Sequence, residues 1–181
     1  SQSPTVMPKQ NDYELPKYLT NHRLSPSIEK VQNLEIVFCA SPNTFDGRYA
    51  NNGWLQELPD PVTKLTWDNP ILLSPKTAEN LGLNNQDMAL LQYKNQNLEM
   101  PVWIVPGFAD NSIAVYLGYG RKSSGRVGDN VGFDAYRLRK SSSPDFDNGL
   151  TISKTGSTYI LATAQNHGSM EGRPVIREAT L

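Results

Sequence analysis

One cysteine and two histidines are all the soft metal-binding chemistry in this chain of 181 residues. Cys39 alone cannot make an internal disulfide, a thiolate zinc site or an iron–sulfur cluster. His22 and His167 stand far apart in sequence, which argues against a multi-histidine metal site within the chain. An excess of either charge is also missing. Seventeen Lys and Arg face 18 Asp and Glu, for a net charge of −1. Nothing in that balance asks for nucleic acid or an acidic membrane surface. Long apolar runs are absent too. No window approaches the roughly 18 apolar residues of a spanning helix, and no signal-like run opens the chain. The expectation is no direct membrane insertion. The first residue is Ser1 rather than Met, which fits a processed chain or a piece of a longer one.

What remains is 38% hydrophobic residues with a mean hydropathy of −0.50. That suits one globular core diluted by polar loops and flanked by tails. Residues 1–30 read as an extended linker or tail. Pro4, Pro8, Pro16 and Pro26 deny it both helix and ladder hydrogen bonds. Its Tyr13, Leu15, Tyr18 and Leu19 suit a segment laid over a neighbour. Order begins at "NLEIVFCAS", where Leu34, Ile36 and Phe38 alternate along one strand face. Cys39 closes that strand and reads as a small buried hydrophobe, since no His or basic residue beside it favours the thiolate.

"SPKTAENLG" is the clearest helix. Ser74 suits the N-cap, Pro75 the first turn and Gly82 the residue just past the end. Ala78 and Leu81, three apart, suit a core-facing stripe. Met88–Tyr93 reads as a strand, "KNQN" as a turn and Leu98–Val105 as the return strand, closed by Pro106-Gly107. "SIAVYLGYG" is another strand closed by glycines, and 118–132 is a long Gly-rich connection. "GLTISKTGSTYILATAQ" reads as a hairpin turning near Thr155-Gly156. Many short strands with one short helix predict a mainly β barrel. The expected divisions are 1–30 as linker, 31–140 as barrel, and 141–181 as a β-hairpin and a link toward a further domain.

Few residues suggest chemistry. Arg121, Lys122 and Arg126 in the Gly-rich stretch would suit an anion. The stretch is neither a GxGxxG turn nor a P-loop, so a flexible connection is the simpler reading. Glu57, Asp60 and Asp68 read as solvated surface carboxylates. No GxSxG elbow supports Ser/His/Asp catalysis. "QNHGSMEGR" reads as a polar tail. The strongest candidate is "GRYANNGWLQELPDPVTKLTWDN". Its Trp54, Trp67, Asn51 and Asn52 either tie an irregular loop to the core or read the edge of a heteroaromatic ligand. On the residues alone, loop anchoring is favoured.

From Arg48 to Gly120, the Asn-Asn/Trp-Leu loop, the strand into Ser-Pro-x-Thr-Ala, Leu-Gly-Leu with an Asp-initiated strand, the Pro-Gly turn and the Gly-rich loop follow a known order. In that order the chain resembles the C-terminal cap domain of the dimethyl-sulfoxide-reductase superfamily of molybdopterin oxidoreductases, over about residues 33–140. The resemblance implies a double-psi β-barrel of the aspartate-decarboxylase-like type. The Gly-Asp box of that family falls at Gln86-Asp87, so the turn is expected to use Asn84 or Asn85 in the left-handed region.

"GRYANNGWLQELPDPVTKLTWDN", "LGYGRKSSGRVGDNVGFDAYRLR" and "ATAQNHGSMEGRPVIREATL" are together similar to the large iron–sulfur subunits of bacterial alternative complex III. That resemblance implies a non-catalytic structural and interaction domain within a quinol-oxidising, membrane-attached complex. Its partners would be the other domains of the parent subunit and other subunits, on the periplasmic side of the inner membrane. The iron–sulfur clusters would lie elsewhere in the parent subunit, with no cofactor in this chain. The superfamily resemblance alone implies an alternative, a cap on an active molybdopterin guanine dinucleotide cofactor. There Arg48, Asn51, Asn52, Trp54, Gly120, Arg121 and Asn130 would line the dinucleotide.

Overall fold

The computed structural model describes residues 33–164. Its six strands are β1 (Leu34–Cys39), β2 (Ile71–Leu73), β3 (Asp87–Tyr93), β4 (Gln96–Ile104), β5 (Ser112–Tyr116) and β6 (Phe146–Thr158). They close a barrel in the order β1-β5-β2-β4-β3-β6. Two neighbouring pairs, β1 with β5 and β2 with β4, run parallel, and the other four are antiparallel. Helices α1 (Gly53–Glu57) and α2 (Pro75–Leu81) and a 3-10 turn at Ala135–Arg137 sit in the connections. The mainly β barrel with a few short helices is the architecture the strand pattern predicts.

The core follows from the period of two. Along β1, Leu34, Ile36 and Phe38 are buried while Glu35, Val37 and Cys39 are half-buried. Ile71, Leu73, Leu91, Met100, Val102, Ile113, Val115 and Leu150 complete the interior. Helix α2 ends as its residues dictate. The Ser74 hydroxyl accepts from the Thr77 N–H at 3.0 Å, Pro75 opens the first turn, and Gly82 turns left-handed at φ 65°. The β3–β4 turn is tight because Lys94 and Asn95 both take positive φ, 44° and 64°, the signature of a two-residue hairpin loop.

Four expectations need correction. Beyond Leu150 the chain is no hairpin: β6 runs through Thr155-Gly156 as one strand, pairing with both β1 and β3. Both of its flanks thus have partners that are distant in sequence, so no local turn is needed. The strand that closes the barrel lies beyond residue 140. The left-handed residue before β3 is Gln86 itself, at φ 71°, rather than Asn84 or Asn85. Asn84 instead donates its N–H to Asp87 at 2.7 Å, and the Asn85 side chain accepts from the Ile104 N–H at 2.6 Å. With both asparagines engaged, the strain falls on Gln86. Cys39 is half-buried rather than buried, and that burial pushes its thiol up, away from reactivity. The fourth concerns the carboxylates and is taken up with the loops. The expected linker at 1–30 and the polar tail around His167 lie outside the described residues.

The β3–β4 turn is tied to β6 by a polar cluster. The buried Tyr93 hydroxyl donates to Asp147 at 2.5 Å, and the Lys94 ammonium pairs with the same carboxylate. Burial pushes the Asp147 carboxyl up. Lys94, Tyr93, Ser143 and the Asn148 N–H outweigh it and hold the group well below the usual carboxylate range. A carboxyl depressed by folding stabilises the protein above its unfolded value, about 3.9, and loses that contribution as pH falls through the folded value. Asp147→Asn is therefore expected to cost about 1–2 kcal/mol at pH 7. The gap from the parent chain should begin to narrow as pH falls below about 4, where Asp147 of the unfolded chain takes a proton, and close only as pH falls through the lower folded value. Urea unfolding of both chains from pH 7 to 3 measures it.

Candidate functional site

Three stretches of chain meet at one end of the barrel: residues 40–57 and 58–70, both in the connection from β1 to β2, and the Gly-rich loop after β5. The first is knotted at its base. Ser41 and Phe45 exchange backbone hydrogen bonds, and the Ser41 hydroxyl accepts from the N–H groups of Asn43 and Thr44. It then meets the Gly-rich loop backbone to backbone. A Cβ on Gly118 would overlap the backbone of Gly47, and one on Gly47 would sit 2.8 Å from the Gly118 Cα. The Tyr136 hydroxyl adds a bond to the Asp46 carbonyl at 2.8 Å.

The Gly-rich loop is not a loose connection. Gly120 donates to Val131 and Asn130 to Arg121, folding the loop back on itself. At its tip Asp129 accepts from the N–H groups of Ser124 and Gly125, at 2.6 and 3.0 Å. A carboxylate so placed organises backbone that no strand partner reaches. Sequence alone did not place Asp129 opposite Ser124.

Arg48, Asn51, Asn52 and Trp54 do come together. With Tyr49, Gly53 and Val127 they line one open hollow of about 580 Å³. Arg121 reaches it, donating to the Asn51 side chain at 3.2 Å. Gly120 and Arg121 line a second hollow of about 330 Å³ with Asp46, Gly47 and Tyr136. Asn130 lines a third hollow beside Leu98 and Glu99, which Gly120 also lines. So the seven positions divide between three hollows rather than forming one pocket.

The chain itself occupies the polar groups around the first hollow. Arg48 forks onto Asp46 with bonds of 2.9 and 2.8 Å and lies over the Phe45 ring. This holds the Asp46 carboxyl down at about 2. Asn52 caps α1, accepting from the Trp54 N–H at 3.1 Å, and Asn51 accepts from Arg121. Gly120 is required by packing, because a Cβ there would run into the backbone of Phe133 and Asp134. A dinucleotide bound here would compete with the partners that Arg48 and the side-chain oxygens of Asn51 and Asn52 hold within the chain. Among the described residues no group of three or more His, Cys, Asp or Glu is placed to hold a metal ion.

The anchoring reading of the tryptophans holds in part. Trp67 is half-buried, and its backbone N–H bonds to the Gln56 carbonyl at 2.9 Å. Trp54 anchors nothing: it is 85% exposed, beside Tyr49 at 53% and Val127 at 64%. Trp54→Ala is expected to change stability by less than about 0.5 kcal/mol. It should also remove the most quencher-accessible part of the tryptophan fluorescence, checked by acrylamide titration of both chains.

Two residues in the stretch 58–70 carry more than their sequence context suggested. Asp60, expected as a surface carboxylate, is buried and accepts from the Val62 and Thr63 N–H groups at 2.8 and 2.7 Å. It also lies by Tyr116, whose hydroxyl burial, aided by Asp60, pushes up to about 12. Its removal from water is compensated by the turn it closes. Asp68 is half-buried too, its carboxyl pushed up by that burial against an opposing bond from Tyr159; Glu57 is exposed as expected. Asn69, given no role by the sequence, is fully buried. Its amide donates to the Tyr116 and Phe133 carbonyls at 2.7 and 2.8 Å and accepts from the Phe133 N–H at 2.7 Å. The only hint was an Asn before Pro70, where a loop enters a strand.

Fold and loops together define a closed β-barrel domain with a hydrogen-bonded loop face and an exposed aromatic beside it. No family model matches the chain. It is 28% identical over 76 residues to the thiosulfate reductase molybdopterin-containing subunit of Salmonella typhimurium. The match covers 42% of this chain and 10% of that subunit. This is a distant relationship to a molybdopterin-containing reductase subunit, and the chain spans about a tenth of that relative's length. Among solved structures it is similar to acetylene hydratase from Pelobacter acetylenicus, with a TM-score of 0.48 and 17% identity over 67% of this chain and 18% of that one.

Proposed function

We propose that this chain is a non-catalytic structural and interaction domain of a molybdopterin-oxidoreductase-like iron–sulfur subunit. The parent subunit would serve a quinol-oxidising electron-transfer complex of the alternative complex III type, held on the periplasmic side of the inner membrane through its other subunits. One observation carries the reading. On the loop face Arg48 and the side-chain oxygens of Asn51 and Asn52 are bonded within the chain, while Trp54, Tyr49 and Val127 stand exposed beside them. Such a face suits burial against protein, where exposed aromatics supply most of the contact. Clusters and quinone sites elsewhere in the parent would carry the electrons. On this reading the closed six-stranded barrel would be of the double-psi type. Residues 1–30 and those after β6 would lead from the barrel toward neighbouring parts of the subunit.

The match to a molybdopterin-containing subunit favours a second reading, a cap on a retained pterin dinucleotide. Metal and pterin analysis of the full-length parent separates the two. The structural reading expects neither molybdenum nor tungsten above trace, and a stoichiometric amount of either overturns it.

A further inference from the structure

Asn-Gly is the dipeptide most prone to lose ammonia, because glycine leaves its backbone nitrogen unhindered. The sequence holds it twice, at Asn52-Gly53 and Asn148-Gly149. The two stand in opposite settings. Asn52 is the N-cap of α1. Its side-chain oxygen is held by the Trp54 N–H, and its carbonyl accepts from Leu55 and Gln56. Reaching the Gly53 nitrogen would need the cap to break. Asn148 and Gly149 are both exposed, and they form a bulge. Leu34 pairs with Leu150 and Ile36 with Asp147, so the two residues lie opposite Glu35 alone. Gly149 takes φ 94° there, and the nearest atom to a Cβ on it would be the Asn33 side-chain oxygen at 3.7 Å. Bulged, exposed backbone is the part of a sheet freest to change conformation.

We propose that Asn148 is a site of spontaneous deamidation and that Asn52 is protected from it. The Gly149 backbone nitrogen attacks the Asn148 side-chain carbonyl carbon. A C–N bond forms, the carbon–nitrogen bond of the side-chain amide breaks, and ammonia leaves with the glycine proton. Water then opens the cyclic imide at either carbonyl, leaving aspartate or isoaspartate. Either product sets a new carboxylate beside Asp147, the group that ties Tyr93 and Lys94 to β6. Isoaspartate also lengthens the backbone at the β1–β6 seam by one methylene.

The test incubates the whole chain at mildly alkaline pH, separates acidic forms by ion exchange and maps tryptic peptides by mass spectrometry. Cleavage after Lys140 and Lys154 isolates Asn148, and cleavage after Arg48 and Lys64 isolates Asn52. Conversion at Asn148 is expected to run several-fold faster than at Asn52, and Asn148→Ser is expected to remove the acidic form. The proposal is overturned if the acidic form persists in Asn148→Ser, if the change maps to Asn52, or if the folded chain stays unchanged while a free peptide of residues 145–152 converts.

Discussion

Gly118→Ala is expected to lower the melting temperature by about 10 °C. Two costs add. Gly118 has φ 93°, and an alanine held there is strained by about 1 kcal/mol. Its Cβ would also overlap the Gly47 backbone, which cannot swing aside as a side chain can. Forcing atoms into such a contact typically costs another 1–3 kcal/mol, roughly 3 kcal/mol in all. Gly125→Ala is the matched control. Gly125 also has positive φ, 102°, but nothing lies within 4 Å of its Cβ position. Thermal melts of both variants decide the point. Equal losses would mean that the two loops do not meet as closely as Gly47 and Gly118 place them.

Asn69→Ala is expected to cost about 3 kcal/mol, because it strands two carbonyls and one N–H in a buried position. The loss should be felt first in the Gly-rich loop, since two of the three bonds reach Phe133 at its end. Trypsin reports this directly: Lys122 and Arg126 lie on the loop's exposed surface, and cutting there should speed up in the variant. Asn69→Asp is the sharper probe. A carboxylate still accepts from the Phe133 N–H but presents negative charge to the two carbonyls where the amide donated. It should therefore be at least as unstable as Asn69→Ala at pH 7 and recover as acid protonates it. A variant as stable as the parent at pH 7 would remove Asn69 from this role.

The residues that spoke plainly in the sequence were those whose signal is local. Ser74, Pro75 and Gly82 set the limits of α2 by their own backbone preferences. Lys94-Asn95 was legible as a turn between two alternating strands. Barrel closure by β6 was not, because its pairing with β1 joins the two ends of the described chain and leaves no mark on either segment alone. Gln86 was misread for a related reason. Its left-handed backbone follows from Asn84 and Asn85 being held by Asp87 and Ile104, contacts that only the folded chain brings together. At the loop face, the sequence and the family resemblance brought Arg48, Asn51, Asn52 and Trp54 forward as a group, and they line one hollow. Asn69 and Asp60 escaped notice because a lone polar residue in a loop looks the same whether it is hydrated or buried with every bond made.

The order of strands also fixes an order in time. β3 and β4 can pair as soon as their two-residue turn forms, within microseconds. Of the six described strands β1 leaves the ribosome first, yet it pairs only with β5 and β6, the last two of the six. Until Ser112–Tyr116 and then Phe146–Thr158 follow, its buried Leu34, Ile36 and Phe38 have no sheet to join. The nascent domain therefore carries an unpaired apolar strand until its last strands are made, a state in which non-local β-pairing is slow and open to capture by chaperones or by another copy.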